Sequence, residues 1–470
     1  MLLATSATSM STPHSGRLLA YACAAIFAAC LLGIVLRPIG FLSVFWPANQ
    51  LLLVLFLRYP RVLLQPLGMA AIFVSYVAAD VLTGSNLWVS MGFSVANMVG
   101  AASAWWVMHK HSERDLQMEG QFSALLVFYG SGVATTVSAA IGGPISAYAF
   151  SVPLLQGTLM WWTGEWMNAM ILLPFLLALP TARKATLVQE ALPIAARVLP
   201  VAAVVVLEAA SYTVAGKVGA LAFSLPALLW CALSYRILPT TIITMLVFAT
   251  KIIVASRLDF TPAQFVDVAT FRLGVTMLIL GPLSVAGAHA ARSELLNRMR
   301  YQAHHDSLTG VLSRNGFVQA SELLLQRLMH ERGSVAVLML DLDHFKRVND
   351  SHGHATGDHL LCEFSRTVVH TLRPQDVFGR IGGEEFAVVL PHISAQDAAT
   401  IAERLCLAVR AGKFQTLSNE SLSATVSIGV AHVAQLSQYD SIENLLRDAD
   451  VALYQAKSRG RDCVMLGPAR

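Results

Sequence analysis

The chain has 470 residues, of which 55% are hydrophobic and only 13% charged, and its formal net charge is +4. A soluble domain carries about 25% charged residues, so this composition excludes a purely soluble enzyme, a disordered chain and a fibrous repeat. The average hides a division: residues 1–300 carry 17 Lys+Arg and 10 Asp+Glu, whereas residues 301–470 carry 16 and 19. The first part is lipid-like, and the second reads as a soluble, slightly acidic domain. The positive surplus lies in the membrane part, where Lys and Arg set topology and meet anionic lipid, so nucleic acid is not an expected partner. The cysteines Cys23, Cys30, Cys231, Cys362, Cys406 and Cys463 show no CxxC spacing. A reduced compartment is expected, without thiolate metal chemistry.

Residues 1–17 are expected to be a flexible, Ser/Thr-rich N-terminus. Ten apolar stretches follow, at about 18–36, 42–57, 62–83, 87–108, 122–142, 159–180, 196–215, 218–234, 238–255 and 271–290. A helix needs about 20 apolar residues to cross a bilayer. The first stretch is too long for a signal peptide and reads as a retained anchor. The second and eighth are short and hold Pro47 and Pro226, so the spans number eight or ten, with the same parity. With the N-terminus inside, the inner loops hold Arg58, Arg61, Lys110, Arg114, Arg183, Lys184, Arg197, Arg236, Arg292, Arg298 and Arg300. The outer side holds only Arg37, Lys217, Arg257 and Arg272. The positive-inside rule then places the C-terminal part in the cytoplasm. Asn49, Asp80, Asn97, Glu165, Glu208 and Lys251 lie in or beside apolar runs, where polar groups face a bundle interior or pair with each other. Trp46, Trp161, Trp162 and Trp166 are expected as interface anchors. Residues 289–303 contain no Gly or Pro, and Leu295, Met299 and Gln302 recur at helical spacing. The last span is expected to run on into a short signalling helix.

The second part reads as helix 316–331, strand 334–341, helices 343–350 and 355–372, strands 377–381 and 385–390, helix 395–410, strand 422–431, helix 441–458 and strand 463–466. A tight hairpin at Gly382-Gly383 interrupts the alternation, which predicts an α/β sandwich with a mixed or antiparallel sheet. Chemistry concentrates at two places. The apolar strand 334–340 ends in Asp341-Leu342-Asp343, and carboxylates at a strand end suit a hard cation such as Mg²⁺. The hairpin continues as Glu384-Glu385-Phe386, where adjacent acids are wasteful without a cation. Strand alternation would send Glu384 and Glu385 to opposite faces, which implies different tasks. His304, His305, His352 and His354 lack a zinc-ligand spacing with cysteine, so zinc is not expected.

Two resemblances follow from these residues. Phe45-Trp46-Pro47-Ala48-Asn49, Ala96-Asn97-Met98-Val99-Gly100, and Trp161-Trp162-Thr163-Gly164-Glu165 with Leu172-Leu173-Pro174 resemble the MASE1 integral-membrane sensor domain of bacteria. Gln50 and Glu165 depart from that pattern, where Gly and Asp would stand. The C-terminal part resembles the GGDEF family of diguanylate cyclases. The carrying residues are Asp306-Ser-Leu-Thr-Gly310, Asp341-Leu-Asp-His-Phe-Lys346, Asn349-Asp350, Gly353-His354, Gly357-Asp358, Gly382-Gly-Glu-Glu-Phe386, Ser427-Ile-Gly429, Asp448-Ala-Asp450, Ala452-Leu-Tyr454, Ala456-Lys457 and Gly460-Arg461.

The resemblances imply a polytopic α-helical membrane sensor of eight to ten spans over 18–290 and a signalling linker over 291–303. A cytoplasmic α/β domain of cyclase-palm fold follows over 304–470. They imply a homodimer in the bacterial cytoplasmic (inner) membrane that joins two GTP into cyclic di-GMP and two pyrophosphates. Asp341, the Leu342 carbonyl and Glu384 would hold Mg²⁺, with Mn²⁺ as the alternative. Asn349 and Asp358 would bind the guanine edge, and His354 belongs to the same nucleotide loop. Lys457 and Arg461 would hold the β- and γ-phosphates, helped by the amides near His344 and Phe345. Lys346 would stabilise developing charge, and Glu385 is a candidate base for the attacking 3′-hydroxyl or a ligand of a second metal. Arg373-Pro-Gln-Asp376, nine residues before Gly382, has the form of the family's inhibitory product site, which Arg404 would complete.

Overall fold

The computed structural model describes residues 12–36, 45–180, 194–214, 221–256, 265–412, 414–415, 421–437 and 440–467. The topology-setting Arg37, Arg183, Lys184, Lys217 and Arg257 lie outside the described residues, as does most of the expected flexible N-terminus. The chain divides into two compact units, Met1–Glu294 and Leu295–Arg470.

The first unit is helical. Its elements are α1 (Thr12–Val35), α2 (Ala48–Arg58), α3 (Pro60–Leu63), α4 (Pro66–Leu82), α5 (Leu87–Met108), α6 (Glu113–Leu116), α7 (Ser123–Phe150), α8 (Leu154–Ala178), α9 (Ile194–Val214), α10 (Leu225–Ser234), α11 (Ile237–Ser256) and α12 (Phe265–His304). Each apolar stretch holds one helix. Among the described residues, five of these helices contain segments long and apolar enough to cross a membrane, in α1, α5, α7, α11 and α12. Residues 143–158, expected as a loop, are mostly helix. The turn between α7 and α8 shrinks to Ser151–Pro153, with Ser151 in the left-handed region at φ 52°. Small residues allow this tight pairing. A Cβ on Gly143 would lie 2.8 Å from the Thr158 Cα, and one on Gly157 would lie 2.8 Å from the Ala147 amide nitrogen.

Several polar residues of this unit pair inside it. Asn49 Nδ2 donates to Glu165 Oε2 at 2.7 Å and to Asn97 Oδ1 at 3.0 Å, and the Tyr76 hydroxyl donates to Asn49 Oδ1 at 2.9 Å. Lys251 Nζ lies 2.7 Å from Glu208 Oε2. Two of the expected interface anchors belong instead to the interior: Trp46 and Trp161 are buried. Trp161 packs on Phe93 with ring centroids 5.0 Å apart and donates Nε1 to Ser138 Oγ at 2.6 Å, so its one polar atom is satisfied without a membrane interface.

The helix α12, 40 residues long, passes Glu294 and ends at His304. The second unit continues with α13 (Arg314–Glu331), β1 (Val335–Leu342), α14 (Phe345–His352), α15 (His354–Thr371), β2 (Val377–Gly382), β3 (Glu385–Pro391), α16 (Ala395–Ala411), β4 (Phe414–Gln415), β5 (Ser421–Leu422), β6 (Val426–Val433), α17 (Ile442–Ser458) and β7 (Val464–Leu466). Side-chain caps from Ser313, Ser394 and Ser441 start α13, α16 and α17. Five strands form a mixed sheet in the order β2-β3-β1-β6-β7, with only β6 and β7 parallel.

The central strand β1 is buried along its whole length. Ala336, Leu338, Leu340 and Leu342 pack with Leu360 and Phe364 of α15 and Leu405 of α16. Val335, Val337 and Met339 pack with Leu325 of α13 and Leu445 and Leu453 of α17. Helices on both faces explain why β1 reads as a continuous apolar run and not as an alternation. The expected strand 422–431 is divided: β5 pairs with β4, and the ladder resumes at Val426. The break frees Thr425, whose hydroxyl and carbonyl both turn to Asp343.

Gly429 on β6 sits directly beneath the backbone of α17. A Cβ there would run into the Ala449 carbonyl oxygen and the Leu453 amide nitrogen, neither of which can swing away. Gly429→Ala should therefore destabilise the C-terminal unit by about 3 kcal/mol, at the upper end of overpacking costs. Urea denaturation against wild type measures it.

Candidate active site

The site grows from the end of β1. Odd positions of β1 face α17, so Asp341 continues the row of Val335, Val337 and Met339 out of the core. Asp341 remains only 6% exposed. Its partner arrives from α17: Lys457 Nζ lies 2.7 Å from Asp341 Oδ2. Burial pushes the Asp341 carboxyl above the usual carboxylate range, against the pull of Lys457. Glu385 lies opposite Asp341 across the β1–β3 ladder, so the two share a face. Glu384 is also pushed up, first by burial and then by repulsion from Asp341. Asp341, Glu384 and Glu385 thus form one field of negative charge, met by Lys457 and, at Asp341, also by Arg461.

The acidic hairpin is tighter than strand alternation implies. Glu384 lies in the two-residue turn and not on β3, so the inference from alternation does not apply to it. Gly383 takes φ 49°, the left-handed conformation such turns need. A residue from β2 holds the turn. Arg380 donates Nε (2.9 Å) and Nη2 (2.7 Å) to the Gly383 carbonyl, and Nη1 (2.9 Å) to Asp306 Oδ1. That Asp306 oxygen also accepts the Thr309 amide and hydroxyl. Sequence reasoning missed Arg380, because nothing local ties it to residue 306.

Asp343 is the second residue whose task was not legible. It is 7% exposed. Its Oδ1 accepts Ser427 Oγ at 2.7 Å, and its Oδ2 accepts Thr425 Oγ1 at 2.7 Å and the Asp462 amide at 3.1 Å. The last contact holds an unusual turn. Gly460, Arg461 and Asp462 follow α17 at φ 111°, 67° and 51°. Left-handed backbone costs a residue with a side chain about 1–2 kcal/mol. Asp343 and an Arg410–Asp462 ion pair at 2.7 Å offset that strain and so fix where Arg461 stands.

The remaining predicted residues line the same rim or a separate patch. His344 adopts φ 57° and opens α14, whose leading amides lie outside its own hydrogen-bond ladder. Phe345 anchors that turn in the core, while Lys346 is exposed. Asn349 of α14 stands against Gly357 of α15, where a Cβ would strike its Oδ1. That oxygen is shielded from solvent and has no hydrogen-bond partner. His354 and Asp358 lie exposed on the first turns of α15. Arg373 and Asp376 close a turn on each other: the Arg373 amide donates to Asp376 Oδ2 at 2.8 Å. Arg404 donates to the Thr371 carbonyl at 2.9 Å. Burial raises the Asp376 pKa, while Arg373 and Arg404 both pull it down. Among the described residues, no cluster of three or more His, Cys, Asp or Glu is placed to hold a metal.

The Asp306–Arg380 contact gives a stability test. Burial raises the Asp306 pKa, but the Thr309 hydrogen bonds and Arg380 outweigh it and hold the carboxyl below its ordinary value. Its stabilisation is present above the unfolded-state pKa and lost as pH falls through the folded-state pKa. Arg380→Ala should cost about 1.5–3 kcal/mol at neutral pH. The variant should also lose less stability than wild type on acidification. Urea midpoints across pH 7 to pH 3 measure both.

Comparison with known proteins completes the picture. Residues 303–463 match the family model described as diguanylate cyclase, GGDEF domain. The chain is 30% identical over 455 residues to the probable diguanylate cyclase DgcF of Escherichia coli O157:H7, covering 93% of both proteins. It is 35% identical over 181 residues to the diguanylate cyclase DgcS of Shewanella oneidensis, covering 37% of this chain and 58% of that one. Among solved structures, the coiled coil and GGDEF domain of DgcB from Caulobacter crescentus, in complex with c-di-GMP, is 29% identical. That match covers 39% of this chain and 97% of that one, with a TM-score of 0.37. The likeness to the Escherichia coli relative runs nearly end to end, and the chain therefore belongs to the diguanylate cyclases of the GGDEF family.

Proposed function

We propose that this diguanylate cyclase works as a membrane-bound homodimer in the bacterial cytoplasmic membrane, governed by a MASE1-type sensor and restrained by its own product. The observation that carries the site assignment is the pairing of a charge-crowded rim with a partnerless acceptor. Asp341 and Glu384 repel each other, and Asn349 Oδ1 is shielded from water without a donor.

Two carboxylates and the main-chain carbonyl of Leu342 fit a hard divalent cation, Mg²⁺ or Mn²⁺, which uses one or two carboxylates plus phosphate oxygens. Such a cation supplies Lewis acidity to the α-phosphate and the 3′-hydroxyl. An unmet buried acceptor costs about 1–3 kcal/mol, and the N1–H and amino group of guanine offer the missing donors to Asn349. Asp358 adds a second acceptor, which favours guanine over adenine. His354 closes the same loop. Lys457 would leave Asp341 for the β- and γ-phosphates, joined by Arg461 and the amides at His344 and Phe345. Lys346 meets charge that builds on the phosphate.

Glu385, on the Asp341 face, takes the proton of the 3′-hydroxyl as its oxygen attacks the α-phosphorus of a second GTP and pyrophosphate leaves. The same step in the opposite direction closes the ring. Two such rims must face each other to align both attacks, so the working unit is a homodimer. Arg373, Asp376 and Arg404 would bind cyclic di-GMP and hold the rims apart. The Lys/Arg distribution puts the N-terminus and residues 295–470 on the cytoplasmic side.

Radiolabelled GTP, incubated with a divalent cation and the detergent-solubilised chain, should yield cyclic di-GMP. Absence of the cyclic product at high protein concentration would sink the proposal. Glu384→Gln should lower turnover about 100-fold or more, since a lost cation contact removes several kcal/mol of charge stabilisation. Asp358→Ala should raise the KM for GTP about tenfold and narrow the preference over ATP. Added cyclic di-GMP should inhibit wild type and spare Arg373→Ala; equal inhibition of both would remove the feedback assignment.

A further inference from the structure

The geometry points to a binding site for a short-chain alcohol in the helical first unit, in a cavity walled by α2, α5, α7 and α8. The cavity measures about 30 Å³. One water needs about 10–15 Å³ on the same measure, so there is room for two or three heavy atoms.

Most polar groups of its wall are already spent. Asn49 donates to Asn97 and Glu165 and accepts the Tyr76 hydroxyl. Glu165 is met by that Asn49 donor and attracted by the Arg272 guanidinium, so it does not call for a charged guest. Ser131 and Thr135 return their hydroxyl protons to carbonyls of their own helix, those of Phe128 and Gly132, at 3.1 Å each. An acceptor and a donor remain open. Gln50 is 3% exposed, and its Oε1 is shielded from solvent with no hydrogen-bond partner. Ser138 is 4% exposed, and its Oγ accepts the Trp161 indole N–H at 2.6 Å, which leaves its own proton to donate. A buried acceptor without a donor is costly.

A hydroxyl group both gives and takes a hydrogen bond, so one hydroxyl between Gln50 and Ser138 answers both. In a cavity this small, the two groups lie within reach of one guest. The rest of the wall decides between an alcohol and water. Leu53, Ala101, Ala104, Ala134, Ala169 and Leu173 line it with carbon. A buried water needs two to four polar partners, and a second or third water against these residues would lack them. A short alkyl group loses nothing there and gains apolar contact. A guest that only accepts would leave Gln50 Oε1 unmet, and an ion would forfeit its hydration without a counter-charge.

The test uses the full chain in nanodiscs, with ethanol, acetonitrile and butan-1-ol compared at equal concentrations. Ethanol and acetonitrile are alike in size, but only ethanol donates a hydrogen bond. Butan-1-ol donates but is too long for the cavity, and it enters lipid more readily than ethanol. Melting temperature and tryptophan fluorescence are the readouts, the second because Trp161 shares the Ser138 hydroxyl. Ethanol should give a saturable shift in both, with half-saturation no tighter than about 0.5 mM, the ceiling for so small a ligand. Acetonitrile and butan-1-ol should bind about tenfold more weakly or worse. Gln50→Leu, which keeps the bulk and removes the acceptor, and Ser138→Ala should each weaken ethanol about tenfold. The proposal is overturned, leaving a cavity for water only, if the ethanol response does not saturate, if butan-1-ol saturates at a lower concentration than ethanol, if acetonitrile matches ethanol, or if both variants respond as wild type does. The comparison of the three compounds on wild type decides the matter even if a variant fails to fold. The site does not rest on the cyclase reading, which GTP conversion by the same preparation tests separately.

Discussion

The catalytic unit depends on one constraint: a strand buried on both faces that must deliver carboxylates to the surface. Ala336 to Leu342 alternate between two helix-covered cores, which leaves no room for a charge until the strand ends. Asp341 and Asp343 then emerge at 6% and 7% exposure, still largely out of water. Charges so placed need partners close at hand. Every neighbouring feature of the site answers that need. Lys457 comes down from α17 to Asp341. The ladder of β6 begins only after Thr425 has turned to Asp343, and the strained turn at Arg461 and Asp462 is held by the same carboxylate.

The two acids have opposite fates. Asp343 is saturated by three donors, from Thr425, Ser427 and the Asp462 amide, and so behaves as a fixed structural anion. Asp341 has Lys457 and Arg461 as cations and Asp343 and Glu384 as like charges in its field. Crowded like charges are a poor arrangement for stability alone, and they suit the cation and polyphosphate of the proposed reaction. Positions built for activity are often less stable than the scaffold around them, and here the scaffold residue and the working residue stand two positions apart on one strand.

Much of this is legible in the sequence. The length and unbroken apolarity of 334–340, the Gly-Gly turn and the helical periods flanking them are local signals, and local signals survive in sequence. What was not legible is long-range. Arg380 meets Asp306 across 74 positions, and Asp343 meets Asp462 across 119. Neither pairing leaves a spacing pattern. The division of 422–431 was hidden for a similar reason: Ala424 and Thr425 carry no break signal, and the interruption exists because a carboxylate elsewhere claims Thr425. Trp46 and Trp161 were misplaced because tryptophan suits both an interface and an interior, and only Ser138, 23 positions away from Trp161, decides between them.

The helical first unit obeys the same rule among its apolar helices. Asn49 ties Glu165 and Asn97 together across 116 and 48 positions, and Lys251 answers Glu208. Buried among apolar helices, such groups need partners within the bundle, so each pair ties two helices together.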